Sequence, residues 1–127
     1  MQIAYLIDTN IIIDYLRGNL KAISFLEEAL DQSTCYVSVI TLAELYVGVR
    51  DSREQEILAN FLSLFRSIAV DESTAIAGGL YRRQYGKSHG VCIADSLIAA
   101  TADQLRATLV TLNKKHFPML RDIFSPY

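Results

Sequence analysis

Two kinds of apolar run alternate along this chain. The first kind is short, unbroken and bounded by polar residues: Tyr5-Leu6-Ile7, Tyr36-Val37-Ser38, Ser67 to Val70, Thr108 to Thr111 and, as a last edge piece, Ile123-Phe124. Such runs predict short buried strands. The second kind recurs at three and four positions and predicts helices: Thr9 through Leu16, Leu20 to Leu30, Ile40 to Arg50, Arg53 to Phe65, a segment opened by Asp71, and one opened at Cys92. Strands alternating with helical patterns imply βαβ units around a parallel sheet.

Punctuation refines these elements. Thr9 is the expected N-cap of the first helix and Gly18 its stop, while Asp71 caps the fifth. That fifth helix is expected to turn Ile76, Ala77, Leu80 and Tyr81 inward, and Gly78-Gly79 inside it costs propensity that close packing must offset. Gly86 to Gly90 reads as a basic, glycine-bounded loop. In the helix that follows, Asp95, Ala99 and Ala102 form one stripe of small residues open to close approach.

At 127 residues the chain is one domain's length, 1–127, able to bury a core without a disulfide or structural metal. Its 51% hydrophobic and 20% charged content argue against disorder. A mean hydropathy of +0.23 fits a well-filled interior or an apolar surface that a partner covers. The N-terminus shows no secretory pattern, and Glu44 and Arg50 interrupt an apolar stretch too short for a bilayer, so the expected location is the cytoplasm with no membrane contact. Cys35 and Cys92, far apart and without metal-finger spacing, are expected to be buried, reduced thiols.

A net charge of −2 does not advertise a nucleic-acid binder. Distribution qualifies this. Arg82, Arg83, Lys87 and His89 cluster, as do Lys114, Lys115 and His116, whereas Glu27, Glu28, Asp31, Glu54 and Glu56 lie elsewhere, so a local basic rim can guide a phosphate backbone. The plainer account of the arginines and Lys87 is a solvated helix end. Tyr81 and Tyr85 beside them read as packing residues, or as platforms for unpaired bases.

The candidate chemistry begins at Asp8, which ends the first strand and so stands where open α/β sheets bind ligands. Glu44 is the sole acid of its apolar helix, on a stripe with Thr41 and Gly48; Asp95 sits in the first turn of another. In a parallel sheet these three and the Asn113 to His116 turn share one rim. Three carboxylates in one pocket repel and call for a cation, and their hard oxygens suit Mg²⁺ or Mn²⁺, which supports phosphodiester hydrolysis. Each acid also has an ordinary account: Asp8 in an Asx turn, Asp95 favoured by the helix dipole, Glu44 on a solvated face. No GxxxxGK[ST] loop and no GxSxG elbow is present.

Four segments, "LIDTNIIIDYL", "SVITLAELYVGV", "GVCIADSLIAATA" and "LVTLNKKHF", together resemble the PIN-domain ribonucleases, and closely the VapC-type toxins of toxin–antitoxin pairs. The resemblance implies a three-layer α/β/α sandwich with a mainly parallel sheet of about five strands. It implies an Mg²⁺- or Mn²⁺-dependent endoribonuclease with Asp8, Glu44 and Asp95 as catalytic and metal-holding acids, the first of them steadied by Thr9 or Asn10. An RNA substrate, an antitoxin whose C-terminal segment fills the groove, and a homodimer are the implied partners. Where many relatives carry a fourth acid, this chain has His116, with Asn113 three residues earlier. An imidazole does not replace a carboxylate toward Mg²⁺, so a second ion would be held weakly or only with a substrate phosphate as ligand, which leaves one-metal chemistry open. His116 then stands on the scissile phosphate or in a packing or turn role, and Asn113 as a carbonyl or water-mediated contact.

Two rivals come from other classes. A haloacid-dehalogenase-type phosphatase needs a second Asp at the place of Asn10, and a receiver-like phosphoacceptor module has only Asp71 as a candidate. A third reading is a weakened PIN domain serving as an RNA- or protein-binding module.

Overall fold

The computed structural model describes residues 3–127. Its elements run β1 (Ala4–Ile7), α1 (Thr9–Leu16), α2 (Leu20–Gln32), β2 (Thr34–Ser38), α3 (Val39–Val47), α4 (Ser52–Leu62), β3 (Arg66–Ile68), α5 (Glu72–His89), α6 (Ile93–Leu105), β4 (Thr108–Val110), a 3₁₀ turn at Lys114–His116, and β5 (Ile123–Phe124). All five strands pair in parallel, in the order β3-β2-β1-β4-β5. The chain moves outward from β1 through β2 to β3, then returns to the far side of β1 as β4. Strand order thus reverses between β1 and β4, where a crevice opens past their carboxyl ends.

Side-chain alternation divides the core into two halves. Ile7, Cys35, Val37 and Val110 lie with Ile11 and Ile12 of α1, Leu26 of α2 and Leu58 and Phe61 of α4. The neighbouring strand positions Leu6 and Leu109 point the other way, onto Ile98, Ala99 and Ala102 of α6 and onto Phe117. A sheet with helices on both faces results, the expected α/β/α sandwich. Leu6, Ile7, Ile11, Ile12 and Leu109 are wholly buried, which explains why β1 and β4 read as unbroken apolar runs.

Four expectations are corrected. The N-cap of α1 is Asp8, whose backbone is still extended and whose Oδ1 accepts the Thr9 N–H at 2.9 Å; Thr9 is already helical. Helix α5 continues through the predicted Gly86 to Gly90 loop as far as His89, and Gly90 stops it at φ +63°, the left-handed value that glycine adopts without strain. Ile76 and Leu80 point outward, 59% and 56% exposed, while Thr74 and Gly78 face α6. The helix is rotated by a close approach: a Cβ on Gly78 would sit 2.7 Å from Leu97 Cδ2. Hydrogen bonds from Thr74 to Gln104 and from Tyr81 to Asp103 hold the same face. Finally, both cysteines are free, but only Cys35 is buried, its thiol pushed up to about 11 by desolvation; Cys92 is exposed as the N-cap of α6.

Candidate active site

Asp8 leaves β1 with its backbone N–H donating to the carbonyl of Val110 at 2.9 Å, so the β1–β4 ladder runs one step past the strands. In this register, Ile7 opposes Val110 and Asp8 therefore stands beside Thr111. Glu44 comes from the middle of α3, whose N-cap Ser38 ends β2. Asp95 comes from the first turn of α6. Together with Thr9, Asn10, Ile13, Asn113, His116 and Phe117 they line one cavity of about 240 Å³.

Hydrogen bonds fix the acids unequally. Asp8 is 6% exposed; its Oδ1 accepts the Thr9 N–H, and its Oδ2 accepts the Thr111 hydroxyl at 2.7 Å. Glu44 Oε1 accepts the Thr9 hydroxyl at 2.8 Å, and Thr41 Oγ1 lies 3.2 Å from that same hydroxyl. Asp95 Oδ2 faces His116 Nδ1 at 3.7 Å, an ion pair when the ring is protonated. Burial raises the Asp8 carboxyl above its ordinary range; the Thr111 and Thr9 bonds pull it down, and the charges of Asp95 and Glu44 push it up again. The N-termini of α1 and α6 place partial positive charge near Asp8 and Asp95, which offsets part of this repulsion.

The remaining sequence candidates separate. Asn10, Asn113 and His116 line the cavity. Lys114 and Lys115, in the same 3₁₀ turn as His116, are exposed and do not line the cavity. Arg82, Arg83 and Lys87 are exposed on α5 and do not line the cavity. Tyr81 packs against the β1–β4–α6 core and donates to Asp103, and Tyr85 packs edge-on against His89. Thr111 was not among the candidates, and Thr41 had been noted only as a helix-stripe neighbour. Both carried a signal: Thr111 is the polar residue that ends the β4 run as Asp8 ends the β1 run, and Thr41 precedes Glu44 by one helical turn.

This geometry agrees with the comparisons. The family model described as PIN domain matches residues 5–121. The chain belongs to the PIN-domain family. It is 37% identical to Ribonuclease VapC19 of Mycobacterium tuberculosis over 96% of this chain and 98% of that protein, and 36% identical to Ribonuclease VapC10 of the same organism over 96% and 92%. In three dimensions it is similar to a chain of a toxin-antitoxin complex from Klebsiella pneumoniae, with a TM-score of 0.83 and 29% identity over 97% of this chain and 98% of that one. PIN membership disposes of both rivals from other classes. Asn10 stands where a phosphatase needs an acid, and Asp71 follows the edge strand β3, where it caps α5 by accepting from Thr74.

The PIN fold implies a divalent metal ion, and the donor set fits one. Three carboxylates and the Asn113 side chain line the cavity, all hard oxygen donors. As placed, no group of three His, Cys, Asp or Glu side chains among the described residues is arranged to hold an ion. The carboxylate oxygens of Asp8 and Glu44 instead accept from Thr9 and Thr111. Each of those oxygens keeps a second lone pair, so the bonds orient the acids without exhausting them as ligands.

Proposed function

We propose that this chain is a VapC-type toxin, an endoribonuclease that hydrolyses RNA phosphodiester bonds with Mg²⁺ or Mn²⁺ held by Asp8, Glu44 and Asp95. The observation that carries the reading is the convergence of those acids from three separate elements on one cavity at the β1–β4 switch point. A bound divalent ion supplies charge neutralisation at the phosphate and lowers the pKa of a water. Asp8, held on both oxygens, would be the fixed ligand, and Glu44 and Asp95, which reach the same cavity from α3 and α6, would complete the set. Asn10 and Asn113 offer amide groups to water or phosphate, and His116 offers a ring nitrogen to the substrate on the side where a fourth acid is missing. Ile13 and Phe117 form apolar walls that limit the water around the reacting phosphate.

Lys114, Lys115, Arg82, Arg83 and Lys87 are the residues we assign to guiding the RNA backbone, and their exposure supports it. An antitoxin is the proposed protein partner. Next to the acids, and sharing Ile13 and Glu44 with them, runs a trough of about 670 Å³ between α1, α3 and α4, lined by Leu16, Leu45, Val49 and Ile57 together with the charged Arg17, Arg50 and Glu54. An antitoxin segment with both apolar and charged side chains fits its chemistry, and a second copy of the chain would cover further exposed apolar side chains. Among the described residues no helix is long and apolar enough to cross a membrane. In this reading the whole chain acts as one domain in the cytoplasm.

The test is cleavage of total RNA by purified, antitoxin-free protein with Mg²⁺ or Mn²⁺, with chelator, and by folded Asp8→Asn. Discrete products that need both metal and Asp8 support the nuclease. Folded protein that binds RNA but leaves it intact under all conditions overturns it in favour of a binding module. Co-expression with a candidate antitoxin and light scattering of the product measure the partner and copy number.

A further inference from the structure

From the bonding of Thr111 we infer that this residue is a positioning residue of the site, aiming one oxygen of Asp8 for ion binding; the inference rests on the metal-dependent reading above. Thr111 is wholly buried, and each of its polar atoms has a defined partner. Its N–H donates to the carbonyl of Phe124 at 3.0 Å, and its own carbonyl accepts the Ser125 hydroxyl at 2.6 Å. The backbone is therefore clamped to the last strand on both sides.

The side chain is constrained in the same way, and its donor direction follows. The Asn113 N–H donates to Thr111 Oγ1 at 3.1 Å, an interaction that uses an oxygen lone pair. With that acceptor role taken, the hydroxyl proton goes to the other neighbour in reach, Asp8 Oδ2 at 2.7 Å. Oδ1 is held by the Thr9 N–H at 2.9 Å, so the carboxylate is gripped at both ends and its plane cannot turn. Asp8 lines the cavity shared with Glu44 and Asp95, and each of its oxygens keeps a further lone pair for a ligand there. A hydroxyl placed only to satisfy its own burial has no need of a carboxylate; a local backbone carbonyl serves, as Leu97 does for Thr101.

Partners that orient a metal ligand typically change metal affinity or activity by about 10- to 100-fold when removed. The test compares full-length wild type, Thr111→Val and Thr111→Ser for Mn²⁺ affinity by electron paramagnetic resonance and for kcat and KM of RNA cleavage, with folding checked by circular dichroism. We expect Thr111→Val to weaken Mn²⁺ binding and lower kcat by about tenfold or more, with KM for RNA unchanged, and Thr111→Ser to restore both. If the valine variant does not fold, Thr111→Cys, of similar size and a poor donor, carries the same expectation. Folded Val or Cys variants with wild-type Mn²⁺ affinity and kcat overturn the inference, as does a serine variant no better than valine. Wild type that binds Mn²⁺ through Asp8 but cleaves no RNA overturns the nuclease reading alone, because the Thr111 comparison is still read on ion affinity.

Discussion

The Thr9 hydroxyl donates to Glu44 Oε1 at 2.8 Å and so ties the first turn of α1 to the middle of α3, across 35 positions of sequence. Thr9 also gives its backbone N–H to Asp8, which makes it, among the described residues, the one hydrogen-bonded to two of the acids. Replacing it by valine keeps the Asp8 contact and frees Glu44. Thr9→Val is expected to lower RNA cleavage by about tenfold while Thr9→Ser retains it. Initial rates at saturating metal measure this; equal rates for the two variants would remove the Glu44 contact from the account.

The same acids carry a stability signature. Asp8 has a folded-state pKa above its unfolded value of 3.8, chiefly because it is buried. Below 3.8 the group is protonated in both states and costs nothing; as pH rises through the folded pKa, the buried charge lowers stability, and it stays lowered at neutral pH. Asp8→Asn is therefore expected to be more stable than wild type in chelator at pH 7, with the gap closing on acidification. Urea unfolding across a pH series checks it, and a gap that widens as pH falls contradicts it.

His116 offers a third handle. Its Nδ1 lies 3.7 Å from Asp95 Oδ2, so His116→Asp brings a fourth carboxylate against an existing one. The expected outcome is tighter Mn²⁺ binding, or a second bound ion, together with lower stability in chelator. Isothermal titration gives the stoichiometry; unchanged affinity and a single ion would place residue 116 outside the metal site.

The adjacent glycines of α5 make an internal control. A Cβ at Gly78 would meet Leu97 Cδ2 at 2.7 Å and Leu97 Cα at 3.2 Å, whereas at Gly79 nothing lies within 4 Å. Gly79→Ala is expected to stabilise the protein by about 1 kcal/mol through helix propensity. Gly78→Ala is expected to destabilise it by about 1–3 kcal/mol, the overpacking outweighing that gain. Chemical denaturation of both variants settles the sign.

Much of this was legible in the chain. Short apolar runs marked all five strands, Asp8 and Glu44 stood out as lone acids of apolar elements, and Asp95 stood out as the acid in the first turn of its helix. What escaped depends on neighbours that only the folded sheet supplies. The rotation of α5 follows from Gly78 meeting Leu97, a contact between two helices that no pattern within either one reveals. Ile76 and Leu80 fitted an inward face just as well by spacing. Thr111 could be matched to Asp8 only once β4 was known to lie beside β1 rather than next to β3, its predecessor in sequence.

That strand order has a bearing on biosynthesis. Asp8 emerges early from the ribosome, while its hydroxyl partner follows 103 residues later and is itself clamped by Phe124 and Ser125. A growing chain can display all three acids and still lack the strand that seats the first of them. The order of the strands thus makes the bond that seats Asp8 one of the later contacts a growing chain can form.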